Sequence, residues 1–195
     1  MELAYQGIIP SVTSAAECME AMSQGAELIV LSHSSVEELM KVHKICRRSP
    51  KLRLLVHMDV VKGLSQTAEA VGFLAAYMKP FGIISSHPVV IRAAKAEGLF
   101  AVQRCFIFDE QSAEVSLKLI EKGSPDYVQV MPGIVPKTIQ YMKAHCDYPL
   151  MAGGLIRTEA EAAEACRAGA EAVTSSARHL WEQREIPAVH HSFPL

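Results

Sequence analysis

"TEAEAAEACRAGAEAVTSS", residues 158–176, reads as one helix that delivers the chain into one strand. Thr158 and Glu161 stand at capping-box spacing, in which the hydroxyl accepts from an orphan helix N–H and the carboxylate reaches back to the cap. Eleven residues after the threonine, Gly169 is the residue type that ends helices, and the β-rich run "AEAVTSS" follows. "SAAECMEAMSQGAELIVLS", residues 14–32, repeats the plan with Ser14, Glu17 and Gly25. The same strand-feeding helix is written near each end of the chain.

Between those ends the rhythm continues. Working outward, strand-like runs are "GIIPSV" (7–12), "ELIVLS" (27–32), "LRLLVHMD" (52–59), "GIISS" (82–86), "FAVQRCFIF" (100–108), "YVQVMPG" (127–133), "PLMAGG" (149–154) and "EAVTSS" (171–176). Segments with helical apolar spacing separate them, so strand and helix alternate eight times. Strands apolar on both faces and alternating with helices pair in parallel, and eight such units close into a compact (β/α)8 TIM-barrel-like single domain. An open doubly wound sheet is the competing architecture. At 195 residues the chain is short for a barrel, usually about 250 residues, so helices and loops must be short. The last helix is stunted, because "ARHLWEQREIP" soon meets Pro187. The reading gives a barrel over residues 1–183 and a C-terminal tail over 184–195.

Half the residues are hydrophobic, yet no apolar run approaches the roughly 20 residues that cross a bilayer, and the N-terminus lacks a signal-peptide pattern. A cytoplasmic protein without a membrane partner is expected. The five cysteines are scattered and never form CxxC, which argues against a disulfide framework or structural zinc. A net charge of −2 excludes a general nucleic-acid coat but leaves room for a local basic patch. No HExxH, GxSxG or acidic magnesium cluster is present, and no metal or catalytic residue is assigned.

Barrels carry function at the C-terminal ends of their strands, with phosphate often held after strands seven and eight. Gly153 and Gly154 follow the seventh run, and Ser175 and Ser176 close the eighth, so bare N–H groups and hydroxyls converge on a phosphate site or form a tight turn. His57 and Asp59 lie two apart on the third run, which places both on one strand face. They line the mouth for ligand hydroxyls or form a buried structural pair. Lys62 lies one loop further on, to meet an anion or neutralise Asp59. Arg104 on strand five stays charged and needs an anionic partner, protein or ligand. Gln129 on strand six is a further polar group, and Lys137 is either a phosphate contact or a solvated first-turn lysine. "KVHKICRRSPKLR", residues 41–53, carries Lys41, Lys44, Arg47, Arg48, Lys51 and Arg53 without an acid. It is either an RNA-contacting patch at the bottom of the barrel or a basic helix end that complements the macrodipole.

"HMDVVKGL", "GIISS", "AVQRCFIFD", "PDYVQVMPGIVPK" and "AGGLIRTEAE", in this order and spacing, resemble the glycerol uptake operon antiterminator regulatory proteins of bacteria. The likeness spans nearly the whole chain and departs from the family pattern at His87 and Gln129. The resemblance implies a non-enzymatic regulator with glycerol 3-phosphate as effector, no cofactor, and the leader mRNA of glycerol-utilisation genes as partner. On that reading Gly153, Gly154, Ser175 and Ser176 cradle the phosphate while His57, Asp59 and Gln129 face the hydroxyls. A homo-oligomer would present two basic patches to one leader and gain avidity. The alternative, by fold analogy, is a phosphosugar-type isomerase or lyase.

Overall fold

Strands that are apolar on both faces must be covered on both, and this chain covers them by closing the sheet on itself and ringing it with helices. In the computed structural model, which describes residues 8–182, the barrel strands are β1 (Ile8–Val12), β2 (Leu28–Leu31), β3 (Arg53–His57), β4 (Gly82–Ser85), β5 (Phe100–Phe106), β6 (Tyr127–Met131), β7 (Leu150–Gly153) and β8 (Ala170–Ser175). Each pairs in parallel with the next, and β8 returns to β1 with Ile8 opposite Val173, Ile9 opposite Thr174 and Pro10 opposite Ser175. That last pairing rules out the open doubly wound sheet. The tail over 184–195, with His190 and His191, lies outside the described residues.

Among the described residues, seven helices cover the outside: α1 (Ala15–Ser23), α2 (Val36–Arg48), α3 (Ala68–Tyr77), α4 (Pro88–Ala96), α5 (Glu110–Gly123), α6 (Pro136–His145) and α7 (Glu159–Arg167). The box at α7 forms in full: Thr158 Oγ1 accepts from Glu161 N–H, and Glu161 accepts from the Thr158 N–H. The box at α1 forms only by half. Ser14 Oγ accepts from Glu17 N–H, but the Glu17 carboxylate accepts from the N–H and hydroxyl of Thr13 and pairs with Arg178 at 2.8 Å. The two Glu17 oxygens are thus divided between a local partner, Thr13, and Arg178 from far along the chain. Where an eighth helix would stand, the described residues hold a single 3-10 turn, Arg178–Leu180, followed by a buried Trp181.

Side-chain alternation divides each strand between barrel interior and helix layer. Ile9, Val30, Leu55, Val102, Met151 and Ala172 pack together inside, and the rings of Phe100 and Tyr127, 5.6 Å between centroids, join them towards the strands' N-terminal end. One step further along the same inward rows stand polar residues: Ser11, His57, Arg104, Gln129 and Thr174. The interior is therefore dry at the bottom and polar at the top.

Two positions show how tightly the wall is drawn. A Cβ at Gly82 on β4 would stand 2.2 Å from the Phe100 carbonyl oxygen, which is backbone and has no room to yield. A Cβ at Gly72, half-buried on α3, would find only Glu97 Oε1 at the C-terminal end of α4 nearby, at 3.7 Å. Gly82→Ala should therefore destabilise the protein by roughly 1–3 kcal/mol in urea unfolding, through overpacking. Gly72→Ala should stabilise it by about 0.5–1 kcal/mol by raising helix propensity. Equal effects at the two sites would contradict the packing described.

Candidate functional site

The polar end of the barrel opens into a cavity of about 320 Å³, within the range that holds a small metabolite. Its floor is Val30, His57, Arg104 and Gln129; its rim is Gly154 to Arg157 after β7 and Thr174 to Ser176 after β8.

Arg104 dominates the floor electrostatically. Its Nη1 lies 2.8 Å from His57 Nδ1 and 2.9 Å from Nε2, and its Nε is buried without a hydrogen-bond partner among the described residues. No carboxylate lies within ion-pairing distance of it among those residues. Burial presses against its charge while the neighbouring Asp59 supports it. His57 is 3 % exposed. Burial first, and the Arg104 charge second, push its pKa down to about 3, so the ring is neutral at physiological pH. Arginine only donates, so the ring nitrogen it meets must accept. Ser32 Oγ, 3.0 Å from Nδ1, is the ring's other hydrogen-bond partner.

His57 and Asp59 are not on one strand face, contrary to the sequence reading: β3 ends at His57, and Met58–Val60 is a 3-10 turn. The turn nevertheless brings Asp59 Oδ2 to 3.9 Å from His57 Nε2. Burial raises the Asp59 pKa, but the Ser85 hydroxyl and the Ser86 N–H and hydroxyl, all donating to it, outweigh burial and hold the carboxyl below its usual range. Asp59 is thus tied to the start of the loop after β4 and lies beside the histidine, outside the cavity lining.

The two glycines have different reasons to be bare. A Cβ at Gly153 would meet Thr174 Oγ1 at 2.6 Å and Gln129 Nε2 at 2.7 Å, where Gln129 donates to Thr174 across 3.0 Å. Gly153 therefore makes room for a protein hydrogen bond. Gly154, at φ 88°, turns the backbone along the cavity rim, and a Cβ there would strike Met131 Cε at 2.5 Å. Ser175 is similarly committed: its hydroxyl donates to the Ile156 carbonyl at 2.8 Å and accepts from the Ala177 N–H at 3.1 Å. Only Ser176 of the serine pair is exposed at the rim. Gln129 Oε1 is buried with no partner among the described residues.

Lys62 and Lys137 are exposed and line no part of this cavity. Lys62 sits in a two-residue parallel ladder, Val61–Lys62 against Ser34–Ser35, that joins the loops after β2 and β3. Such short pairings carry no sequence signature. The basic segment is also less uniform than its charge suggests. Lys41 is held by Glu37 and Glu38, both at 2.7 Å, which stand one turn earlier on α2. Lys44, Arg47 and Arg48 are exposed on α2 and Lys51 follows it, whereas Arg53 begins β3 with its guanidinium 4.9 Å over the Phe81 ring. Arg157 and His33 at the mouth were missed by sequence reasoning. The signal for Arg157 was its place just before the Thr158 cap, between the glycines and α7.

Among the described residues, no group of three histidine, cysteine or acidic side chains is placed to hold a metal, and no helix is long and apolar enough to cross a membrane.

Comparison with known proteins places this geometry. The chain is 32 % identical to the glycerol uptake operon antiterminator regulatory protein from Listeria monocytogenes, whose crystal structure matches with a TM-score of 0.87 over 93 % of this chain and 98 % of that one. A glycerol uptake operon antiterminator-related protein from Thermotoga maritima matches at 30 % identity and a TM-score of 0.77, over 91 % and 99 % of the two chains. An uncharacterized protein of Escherichia coli, YgcP, is 28 % identical over 89 % of this chain and 91 % of its own length. Residues 8–181, from the first barrel strand to Trp181, match the family described as glycerol-3-phosphate responsive antiterminator, and the chain belongs to that family.

Proposed function

We propose that the protein is a transcription antiterminator that binds glycerol 3-phosphate in the barrel mouth and acts on the leader mRNA of glycerol-utilisation genes in the cytoplasm. Family membership supports the regulatory role, and Arg104 carries the ligand assignment: a half-buried cation without a carboxylate partner among the described residues, at the floor of a cavity of about 320 Å³. Such a charge favours an anionic guest. Gly154, Arg157 and Ser176 at the rim supply the phosphate donors in this reading, with Gly153 and Ser175 shaping the cradle from behind. His57, Gln129 and Thr174 face the glycerol hydroxyls, with Ser32 holding the His57 ring and Asp59 supporting the Arg104 charge. Lys62 and Lys137 remain outside the cradle.

The competing lyase or isomerase reading requires a group to move protons or form a Schiff base. The described residues lining the cavity include no lysine and no carboxylate; of their two histidines, His57 is buried and poorly basic with its pKa at about 3, and His33 is exposed at the mouth with no carboxylate beside it in the lining. That lining favours binding without turnover. Ligand control of RNA then follows from differential affinity: the effector shifts the population towards whichever form of the mouth loops it binds better.

Calorimetric titration tests the assignment. Glycerol 3-phosphate should bind saturably, with glycerol alone silent, and Arg104→Met should weaken binding by about 10- to 100-fold, the loss associated with hydrogen bonds to a charged group. Undiminished affinity in that variant would remove Arg104 from the site, and consumption of the ligand would favour the enzyme reading.

A second expectation concerns pH. The His57 pKa lies at about 3 in the native protein against 6.5 for the free side chain, so between those values the unfolded chain takes up a proton that the native one refuses. Stability is complete above about pH 6.5 and is lost as pH falls towards 3. Between pH 7 and pH 5 this group should cost roughly 2 kcal/mol. His57→Asn should flatten that part of the profile in urea unfolding, and an unchanged slope would contradict the buried neutral histidine.

A further inference from the structure

At the opposite end of the barrel lies a second cavity, of about 450 Å³, between the C-terminal end of α2, the start of β3 and the link from α3 to β4. Its charged lining is wholly basic among the described residues: Arg47, Arg53 and Lys79, with His43 beside them. Burial first, and then Arg47, lower the His43 pKa, so its ring is a neutral donor and acceptor. Two aromatic rings complete the wall. Phe81 carries the Arg53 guanidinium on one side and stacks on Phe100 of the barrel interior, at 5.1 Å and 22°. Tyr77 is 73 % exposed and rests against Phe73 at 5.1 Å.

From this juxtaposition we propose that the groove formed by Arg47, Arg53, Tyr77, Lys79 and Phe81 is the RNA-binding site and takes unpaired nucleotides, base against Tyr77 and phosphates against Arg47 and Lys79. The proposal deepens the antiterminator reading and rests on it for the identity of the polymer. Three features select a single strand of RNA. Cations without local acids neutralise a phosphate chain. An exposed ring over a recess offers a stacking platform that a base locked in a duplex does not reach. The recess is of a volume to admit one nucleotide rather than a helix. The basic segment of α2 enters this picture only in part. Arg47 and Arg53 face the groove, Lys41 is held by Glu37 and Glu38, and Lys44, Arg48 and Lys51 lie outside its lining.

The test uses the full chain and fluorescence anisotropy with a labelled 12-nucleotide single-stranded RNA, and with the duplex of the same strand, at several salt concentrations and with and without glycerol 3-phosphate. The single strand should bind more tightly than the duplex. Tyr77→Ala should weaken it by roughly 5- to 100-fold, the loss of one stacked base. Arg47→Gln and Lys79→Asn should each weaken it and lower the salt slope by about one. Lys79 has a positive φ of 47°, which asparagine tolerates. Lys44→Gln and Arg48→Gln serve as controls and should change affinity less than about twofold, and thermal melting monitors the fold of every variant. If the wild type binds RNA and the groove variants bind equally well, or if the duplex is preferred, the groove assignment is overturned while the antiterminator reading stands. If the wild type binds neither RNA in either condition, the groove assignment fails, and the RNA half of the antiterminator reading fails with it. Effector titration of the same preparation judges the other half separately.

Discussion

A guanidinium that keeps its charge at any physiological pH stands half-buried near the centre of this barrel's mouth, and much of the surrounding structure answers to it. Arg104 rests against a ring that must be neutral to accept from it, and the ring is kept neutral by burial and by the arginine itself. The negative charge that offsets the arrangement, Asp59, is set one neighbour away and is occupied by Ser85 and Ser86. Placing the carboxylate directly on Arg104 would have produced a closed ion pair and a site with no electrostatic demand. Displacing it through His57 leaves a cation stable enough to fold with and incompletely satisfied at its open side.

The same economy explains the barrel's division into a dry half and a polar half. Inward rows alternate in register around a closed sheet, so one step along each strand changes a whole layer. The aliphatic layer of Ile9, Leu55, Val102 and Met151 gives way within two residues to Ser11, His57, Arg104 and Gly153. Hydrogen bonds within that polar layer, such as Gln129 to Thr174, tie its strands together, and the absence of a side chain at Gly153 permits the approach.

Much of the architecture was legible because it is periodic. The eight strand runs and the Thr158 capping box rest on local patterns that a sequence carries openly. The site was legible where it depended on position along a strand and opaque where it depended on orientation. Arg104, Gln129 and Gly154 reach the mouth because they end inward rows or begin its loops, whereas Ser175 sits one residue out of phase and turns its hydroxyl to the Ile156 carbonyl. That phase was readable in principle from Thr174 and Ala172. The acids that hold Lys41 were also visible, three and four residues earlier, just outside the basic stretch. By contrast, the meeting of Arg47 and Arg53 with Tyr77, Lys79 and Phe81 joins segments that no local pattern links, and only the closed barrel sets them side by side.

Ser175 also receives the indole of Trp181, whose Nε1–H donates to its carbonyl at 3.0 Å. Trp181 is the chain's single tryptophan and is buried where the barrel's first and last strands meet. Its hydrogen-bond partner carries the hydroxyl that fixes Ile156 at the rim of the mouth, so one chromophore reports on the seam and on the loop beside the cavity together. The protein therefore contains its own optical gauge. Indole emission answers to the polarity and hydrogen bonding of that one spot, and no second tryptophan dilutes the signal.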